Sequence, residues 1–253
     1  YTVEQAKSTP LTIPEENAEQ TQIGGYFKEL DGMIGLHQRK HGKLVKLKQA
    51  MLQKMFPQNG ATTPEIRFKG FSKPWVEKAL EVAGAFNPKA DVPEVFEYVD
   101  LESVVGTQMV GHRTERKATA PSRAQRVARQ GDLFFQTVRP YQKNNHLFTL
   151  PSENYVFSTG YAQIRPFNNG SFLLALMQRD QFIKVVLDHC TGTSYPAINS
   201  SDLAKIPIEL PTLAEQQKIG SYFSNLDTLI TKHATQLEKL KQLKSACLEK
   251  MFV

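Results

Sequence analysis

A long repeat near the two ends of the chain constrains its fold more than any other feature. The segment from Ala18 to Asp31 returns without a gap between Ala214 and Asp227, at a constant separation of 196 residues. The match continues through paired leucines, lysines and histidines, and both copies close on Lys-Met-Phe, at 54–56 and 250–252. A similarity of this length does not arise by chance, so we expect both copies to adopt one structure.

Each copy has the apolar periodicity of one long helix. Apolar residues recur at steps of three and four, which is typical of the narrow seam of a coiled coil. The predicted seam consists of Ile23, Phe27, Leu30, Ile34, Leu44 and Leu47 in the first copy and Ile219, Phe223, Leu226, Ile230, Leu237 and Leu240 in the second. We therefore predict an antiparallel coiled coil, formed between these two helices or with equivalent helices of a second chain.

The first copy also contains glycines that destabilise a helix and two histidines at helical spacing. Its five glycines, at 24, 25, 32, 35 and 42, each cost about 1 kcal/mol relative to alanine, which predicts a looser helix unless a partner packs on it. His37 and His41 have the spacing of a helical metal pair. Because no third ligand is evident, we interpret them as histidines at the edge of the seam and predict no metal site.

The region between the repeats has a different character. A turn-rich break at 57–64 is followed by short runs of strand-forming residues at 97–101, 132–138 and 161–165, and by one predicted helix at 171–187. These elements indicate an α+β fold, with one globular domain and two long helices. The predicted boundaries are 1–57 for the first helix with a short lead-in, 58–207 for the globular domain and 208–253 for the second helix.

Composition favours an acidic partner. The formal net charge is +6 and the isoelectric point is about 9.2, and nucleic acid is the commonest partner of basic proteins. Two cysteines do not indicate a disulfide framework, and there is neither an apolar run long enough to span a membrane nor a secretion signal at the start. These features predict a cytoplasmic location.

Three segments have the residue types that contact DNA. Arginine can hold guanine through two hydrogen bonds, asparagine can do the same with adenine, and a glycine turn allows the backbone to approach a phosphate. The predicted DNA-binding residues are Arg113, Arg116, Lys117, Arg123, Arg126 and Arg129 in a flexible basic loop, Arg139, Tyr141, Lys143 and Asn144 after a strand, and Thr193, Ser194 and Tyr195 in a turn. The alternatives are a solvated surface loop for the first segment and an ordinary hairpin turn for the second.

No catalytic motif is present in the sequence. The phosphate-binding G-x-x-x-x-G-K-[ST] pattern is missing, and Val138-Arg139-Pro140-Tyr141 does not match the Asn/Asp-Pro-Pro-aromatic motif of amino-methyltransferases. Glu115-Arg116-Lys117 has no nearby Pro-Asp partner that would complete a nuclease site. The sequence therefore predicts a protein without its own catalytic centre and without a bound cofactor.

The order of these features resembles the specificity subunit of type I restriction–modification enzymes. In that family a variable target recognition domain lies between two copies of a conserved helix. The phrases Ile66-Arg67-Phe68, Gly131-Asp132-Leu133 and Gly192-Thr193-Ser194-Tyr195-Pro196 are similar to phrases of such a domain, and together with the repeats they cover almost the whole chain. The family usually has two recognition domains, whereas this sequence contains one, as in half of such a subunit.

The resemblance implies a function and a set of partners. The chain would read one half of a bipartite target in double-stranded DNA and dock methyltransferase and restriction subunits, with a homodimer through the long helices as a further possibility. S-adenosylmethionine, ATP and Mg²⁺ would then belong to the partner subunits. The alternative is a coiled-coil scaffold or adaptor whose middle domain binds protein.

Overall fold

The computed structural model describes residues 2, 13–58, 60–192 and 194–251. Thr193, one of the predicted contact residues, lies outside the described residues. The helices are α1 (Asn17–Lys54), α2 (Gly170–Met177), α3 (Asp180–Asp188), α4 (Ser200–Lys205) and α5 (Leu213–Met251). The strands are β1 (Val76–Ala79), β2 (Gly84–Phe86), β3 (Val95–Val99), β4 (Val104–Val105), β5 (Gln108–Met109), β6 (Arg113–Arg116), β7 (Ala124–Val127), β8 (Leu133–Gln136), β9 (His146–Leu147), β10 (Tyr155–Ser158), β11 (Tyr161–Pro166) and β12 (Pro207–Leu210).

The chain divides into two compact units. Among the described residues, the helix-pair unit contains those up to 48 and from 226 onward, and the globular unit contains those between 49 and 225. The end of α1 and the beginning of α5 thus belong to the globular unit, which extends beyond 58–207 at both ends. The long helices and the mixed globular part confirm the predicted α+β fold.

The helix-pair unit is an antiparallel pair, as predicted. Asp31 of α1 accepts from Lys244 of α5 at 2.6 Å, and Lys48 of α1 donates to Asp227 of α5 at 2.5 Å. Residue numbers therefore rise along one helix while those of their partners fall along the other. The two ion pairs are equivalent under the 196-residue repeat, because Asp31 corresponds to Asp227 and Lys48 to Lys244.

The seam differs from the prediction at one position in the first helix. Leu47 is 40% exposed, and Lys48 lies in the seam with its side chain 16% exposed. The prediction for Leu47 was wrong because it followed apolarity alone: a step of four from Leu44 leads to Lys48, whose aliphatic stem packs while its ammonium group reaches Asp227. The other predicted seam residues of this unit are buried or half-buried: Ile23, Phe27, Leu30, Ile34, Leu44, Leu226, Ile230, Leu237 and Leu240.

Two histidines meet across the same seam. The Nδ1 atoms of His37 and His233 lie 3.0 Å apart, and the ring centroids are separated by 5.1 Å. These residues are equivalent under the repeat. At this point of the antiparallel pair, each helix therefore faces the equivalent position of the other helix. Desolvation, the neighbouring His37 and the nearby Lys40 and Lys232 lower the pKa of His233 below its ordinary value. Among the described residues, no group of three or more possible metal ligands occurs.

Two four-stranded sheets form the core of the globular unit. Their strand orders are β6-β3-β10-β7 and β2-β11-β8-β9, with β3 parallel to β10 and the other pairings antiparallel. Phe157 of the first sheet stacks on Phe134 of the second, with ring centroids 3.6 Å apart, and both rings are fully buried. A cluster around them, which includes Val99 and Tyr161, joins the two sheets.

A second aromatic cluster joins the ends of the long helices to the rest of the globular unit. Phe56, just after α1, lies 5.7 Å from both Trp75 and Phe172 and 6.0 Å from Phe223 of α5. Ile219 and Phe223, predicted as coiled-coil seam residues, are each 2% exposed and belong to this globular unit instead. The seam prediction was wrong for this part of α5 because the same apolar stripe packs on a domain core here.

The helix predicted over 171–187 is two helices. Arg179 has φ −71° and ψ 139°, an extended conformation that ends the first helix and allows the second to begin at Asp180. The Arg179 side chain is buried and donates to the carbonyl oxygen of Pro57 at 2.7 Å. The helical spacing of apolar residues continues across this break, so periodicity alone does not reveal it.

Candidate nucleic-acid interface

The basic segment predicted as a flexible loop contains two short strands joined by a turn. Arg113–Arg116 form β6 and Ala124–Val127 form β7, the two edge strands of one four-stranded sheet. The loop prediction was wrong for these two stretches, because β-strand pairing with β3 and β10 overrides the weak strand preference of their polar sequences. The charges of the segment are therefore divided between opposite edges of the sheet.

The sheet register also places two of these arginines on opposite faces. Arg113 pairs with Tyr98 on β3, and Arg126 pairs with Phe157 on β10. Phe157 is in register with Val99, the residue after Tyr98, and neighbouring residues of one strand point to opposite faces. Arg113 and Arg126 therefore do not form one basic surface.

Arg113 is held by neighbouring groups of the protein. It donates to Asp100 at 2.5 Å and to Glu115 at 2.8 Å, and its guanidinium lies 4.7 Å from the ring centre of Tyr98. These hydrogen bonds raise the pKa of Arg113 and, after the opposing effect of desolvation, lower that of Asp100. The geometry gives Arg113 a structural role on the sheet edge.

The remaining basic residues of the segment differ in exposure. Arg126 is half-buried, its pKa is lowered by desolvation, and its Nε has no hydrogen-bond partner among the described residues. Arg129 is exposed and lies 4.0 Å from Glu153. The other predicted contacts, Arg116, Lys117 and Arg123, are also exposed. Phosphate contact requires exposure, so the exposed members are better placed for it than Arg126.

The other two predicted segments come together. The amide of Arg139 donates to the carbonyl oxygen of Pro196 at 2.8 Å, and Val138 forms an isolated bridge with Ala197. The Arg139 guanidinium lies 4.6 Å from the ring centre of Tyr195, which is 65% exposed. Residues 138–145 and 194–197 thus lie together and form what is here called the Arg139 surface, in which Arg139 is half-buried and Pro140 and Asn145 are buried. Ser194 and Tyr141 are exposed members of it.

The backbone of this surface is held in an uncommon conformation. Arg139 has φ 53° and ψ 56°, and Lys143 has φ 55° and ψ 30°, so both lie in the left-handed region at the two ends of a 3-10 turn, Pro140–Gln142. Residues with side chains pay about 1–3 kcal/mol for such conformations, which persist where the surroundings determine them and cluster at functional sites. The Lys143 ammonium also pairs with Asp180.

Sequence reasoning missed a hairpin beside this surface. Strands β4 and β5 form a separate two-stranded sheet with a two-residue turn at Gly106 and Thr107. The amide of Gly106 donates to Oδ1 of Asn144 at 2.8 Å, and His146 donates through Nδ1 to the carbonyl oxygen of Thr107 at 3.0 Å. The sequence signal was the glycine after two valines, which is typical of a tight hairpin, but the strands are only two residues long.

Comparisons with known proteins agree with a DNA-specificity domain between two long helices. Residues 124–242 match the family described as type I restriction modification DNA specificity domain. The type I restriction enzyme HindI specificity subunit of Haemophilus influenzae is 25% identical over 162 residues, which cover 62% of this chain and 35% of that protein. The putative type I restriction enzyme MjaX specificity subunit of Methanocaldococcus jannaschii is 24% identical over 264 residues, covering 94% and 58%.

Solved structures agree with this assignment. A chain described under the structural basis of complex assembly and conformational transition of the type I R-M system is 30% identical, with a TM-score of 0.55, covering 69% of this chain and 47% of that one. The HsdS subunit of Thermoanaerobacter tengcongensis is 28% identical, with a TM-score of 0.53, covering 72% and 48%. The S subunit from M. genitalium is 15% identical and has a similar fold, with a TM-score of 0.67. The match covers 100% of this chain and 65% of the M. genitalium chain.

The chain is similar to type I restriction–modification specificity subunits, and its residues 124–242 match their DNA specificity domain. It spans only 35% and 58% of the two curated relatives described above. None of these relatives supports the alternative of a coiled-coil adaptor. Within the described part of the chain, no helix is long and apolar enough to cross a membrane.

Proposed function

We propose that this chain reads one half of a bipartite sequence in double-stranded DNA, as part of a type I specificity subunit. The observation that carries the proposal is the Arg139 surface, in which two segments with DNA-contacting residue types come together and expose Tyr141, Ser194 and Tyr195. Arg139 can donate two hydrogen bonds to guanine, and Tyr195 and Tyr141 are 65% and 49% exposed, available to lie against sugars or bases. The family match supports the choice of DNA over protein as the ligand.

The proposal includes a division of labour with other subunits. This chain supplies recognition and no catalytic group of its own. Methyltransferase and restriction subunits dock on it, with S-adenosylmethionine, ATP and Mg²⁺ bound in those partners, and the complex works in the cytoplasm, where its DNA is. The long helices provide the spacer for assembly and the surface through which two copies could pair.

Binding to duplex DNA at several salt concentrations tests the function. We expect the full chain, or its complex with the methyltransferase, to prefer one short sequence over random DNA. Log affinity should fall linearly with log salt, because neutralised phosphates release counterions. Equal affinity for all sequences in the complete complex would refute a role in specificity.

Arginine variants then locate the reading surface. Arg139→Ala is expected to relax the choice of base at one position, because a bidentate contact to guanine is worth about 1–3 kcal/mol of discrimination. Arg129→Ala should instead weaken binding to all sequences and flatten the salt slope by about one unit. Arg39→Ala, an exposed arginine on α1 in the helix-pair unit, is the charge-matched control and should change neither. Uniform loss of affinity in the Arg139 variant would place base reading elsewhere.

A further inference from the structure

The hairpin of β4 and β5 has one buried and one exposed face. Val104 pairs with Met109, and this pair faces the core, where Val104 is fully buried. Val105 pairs with Gln108, and both are exposed, Val105 to 60%. The exposed face therefore presents one branched apolar side chain directly beside one amide.

The tip of the hairpin is fixed from outside. Asn144 accepts from the amide of Gly106, and His146 donates to the carbonyl oxygen of Thr107. His146 is itself held between elements, with its ring stacked at 6.1 Å on Phe157, and burial lowers its pKa. Because both turn residues are hydrogen-bonded to the rest of the protein, the hairpin does not lose further conformational freedom when it binds a ligand.

A cavity of about 270 Å³ links the hairpin to the Arg139 surface. Val105 and Glu102 line it together with Arg139, Gln142 and Asn144. The exposed carboxylate of Glu102 is an unfavourable neighbour for a phosphate. An uncharged base edge therefore fits the adjoining Val105–Gln108 face better than the DNA backbone does.

We propose that this hairpin reads an A·T base pair in the major groove, with Gln108 hydrogen-bonded to adenine and Val105 against the methyl group of thymine. A two-stranded ribbon fits the major groove, glutamine matches the N6 and N7 positions of adenine, and apolar side chains contact the thymine methyl. The inference rests on the proposed function and adds the base pair and the residues that read it.

The same geometry changes the role of Asn144, which the sequence predicts as a DNA contact. Its Oδ1 already accepts from Gly106 at 2.8 Å, so Asn144 is a positioning residue for the hairpin. Asn144→Asp keeps an acceptor at this place and should retain the A·T preference with a uniform loss of affinity, because it adds negative charge. Asn144→Ala removes the acceptor and should weaken the preference itself.

Selection from a randomised duplex library, with the full chain and three variants, tests the proposal. Gln108→Ala should reduce the preference for A·T at one position by about five- to 150-fold and leave the other positions unchanged. Val105→Ala and the matched control Val76→Ala, whose residue is a 53% exposed valine on β1, are then compared on duplexes with uracil in place of that thymine. Loss of the methyl group should lower the DNA affinity of the wild type and of Val76→Ala by about fourfold. It should leave the affinity of Val105→Ala unchanged.

The outcomes separate this inference from the proposed function. If the wild-type chain selects no sequence, both fail together. If it selects a sequence and Gln108→Ala selects the same one with equal strength, the proposed function stands and the hairpin does not read bases. A motif without an A·T pair, or a uniform loss at all positions in the Gln108 variant, also overturns the reading role.

Discussion

The residues that begin α1 and α5 follow one pattern but have different surroundings. Gln20 and Gln216 make similar local contacts, with Nε2 donating to the carbonyl oxygen of Pro14, six residues back, at 2.8 Å and of Pro211, five residues back, at 3.1 Å. Such a contact needs only residues nearby in the sequence, so both copies form it. The repeat therefore determines the local structure at both helix starts.

Tertiary contacts distinguish the two copies. Glu215 is buried and accepts two hydrogen bonds from Arg67, at 2.7 and 2.8 Å, whereas its equivalent Glu19 is exposed. A side chain on Gly220 would lie 2.2 Å from Oδ1 of Asn169, whereas none of the described residues comes within 4 Å of one on Gly24. Glu215 and Gly220 of α5 thus have tertiary partners within the globular unit, which the described surroundings of Glu19 and Gly24 in α1 do not provide.

The largest effect is expected when the glutamate that occurs in both copies of the repeat is removed. Glu215→Ala leaves the Arg67 guanidinium, whose side chain is 13% exposed, without its carboxylate, and should destabilise the chain by about 3–5 kcal/mol. Glu19→Ala, the same change in the other copy, should stay within about 0.5 kcal/mol. Chemical denaturation of both variants measures the two values, and equal losses would show that Glu19 is as engaged as Glu215.

Alanine at the two equivalent glycines should give effects of opposite sign. Gly220→Ala places a methyl group against Asn169 and Phe172, so overpacking should cost about 1–3 kcal/mol. Gly24→Ala meets open space in a helix and should stabilise it by about 1 kcal/mol. Thermal unfolding of the two variants gives the comparison, and stabilisation by both would mean that Asn169 moves away at little cost.

Those surroundings explain what the sequence could and could not predict. The helices, their antiparallel pairing and the main strands follow from the repeat and from short-range periodicity. The contact between Arg139 and Tyr195 joins residues far apart in sequence, and neither segment alone reveals the other. Arg179, where the helix breaks, donates to the distant Pro57, and the division of Arg113 from Arg126 depends on strand register. Such long-range effects leave no local pattern.

The histidine pair predicts a pH dependence within the helix-pair unit. The pKa of His233 is lower in the folded chain than its ordinary value of 6.5, so the folded state binds fewer protons than the unfolded state. Its contribution to stability is therefore complete above about pH 7.5 and declines as the pH falls through 6.5 and below. The unfolding temperature should drop between pH 7.5 and pH 5.5, and the drop should be smaller in His233→Gln.

A second histidine makes a control necessary. Burial also lowers the pKa of His146, in the globular unit, so acid should destabilise that unit in the same direction. His189→Gln changes an exposed histidine of the globular unit and should retain the full wild-type drop. If His233→Gln retains it as well, the meeting of His37 and His233 does not contribute to the pH dependence.

The smallest expected effect compares the two equivalent ion pairs of the helix seam. In the pair of Lys48 and Asp227 the side chains are 16% and 23% exposed, and in the pair of Lys244 and Asp31 they are 31% and 56% exposed. Solvent screens the second pair more, so Lys48→Met should cost about 1 kcal/mol and Lys244→Met about 0.3 kcal/mol or less. Added salt should reduce the difference between the two destabilisations. The less exposed pair contributes more at low salt, so screening has more to remove from it. Urea denaturation of both variants at low and high salt measures these differences. Equal costs at low salt would mean that the repeat makes the two ends of the seam energetically the same despite their different exposure.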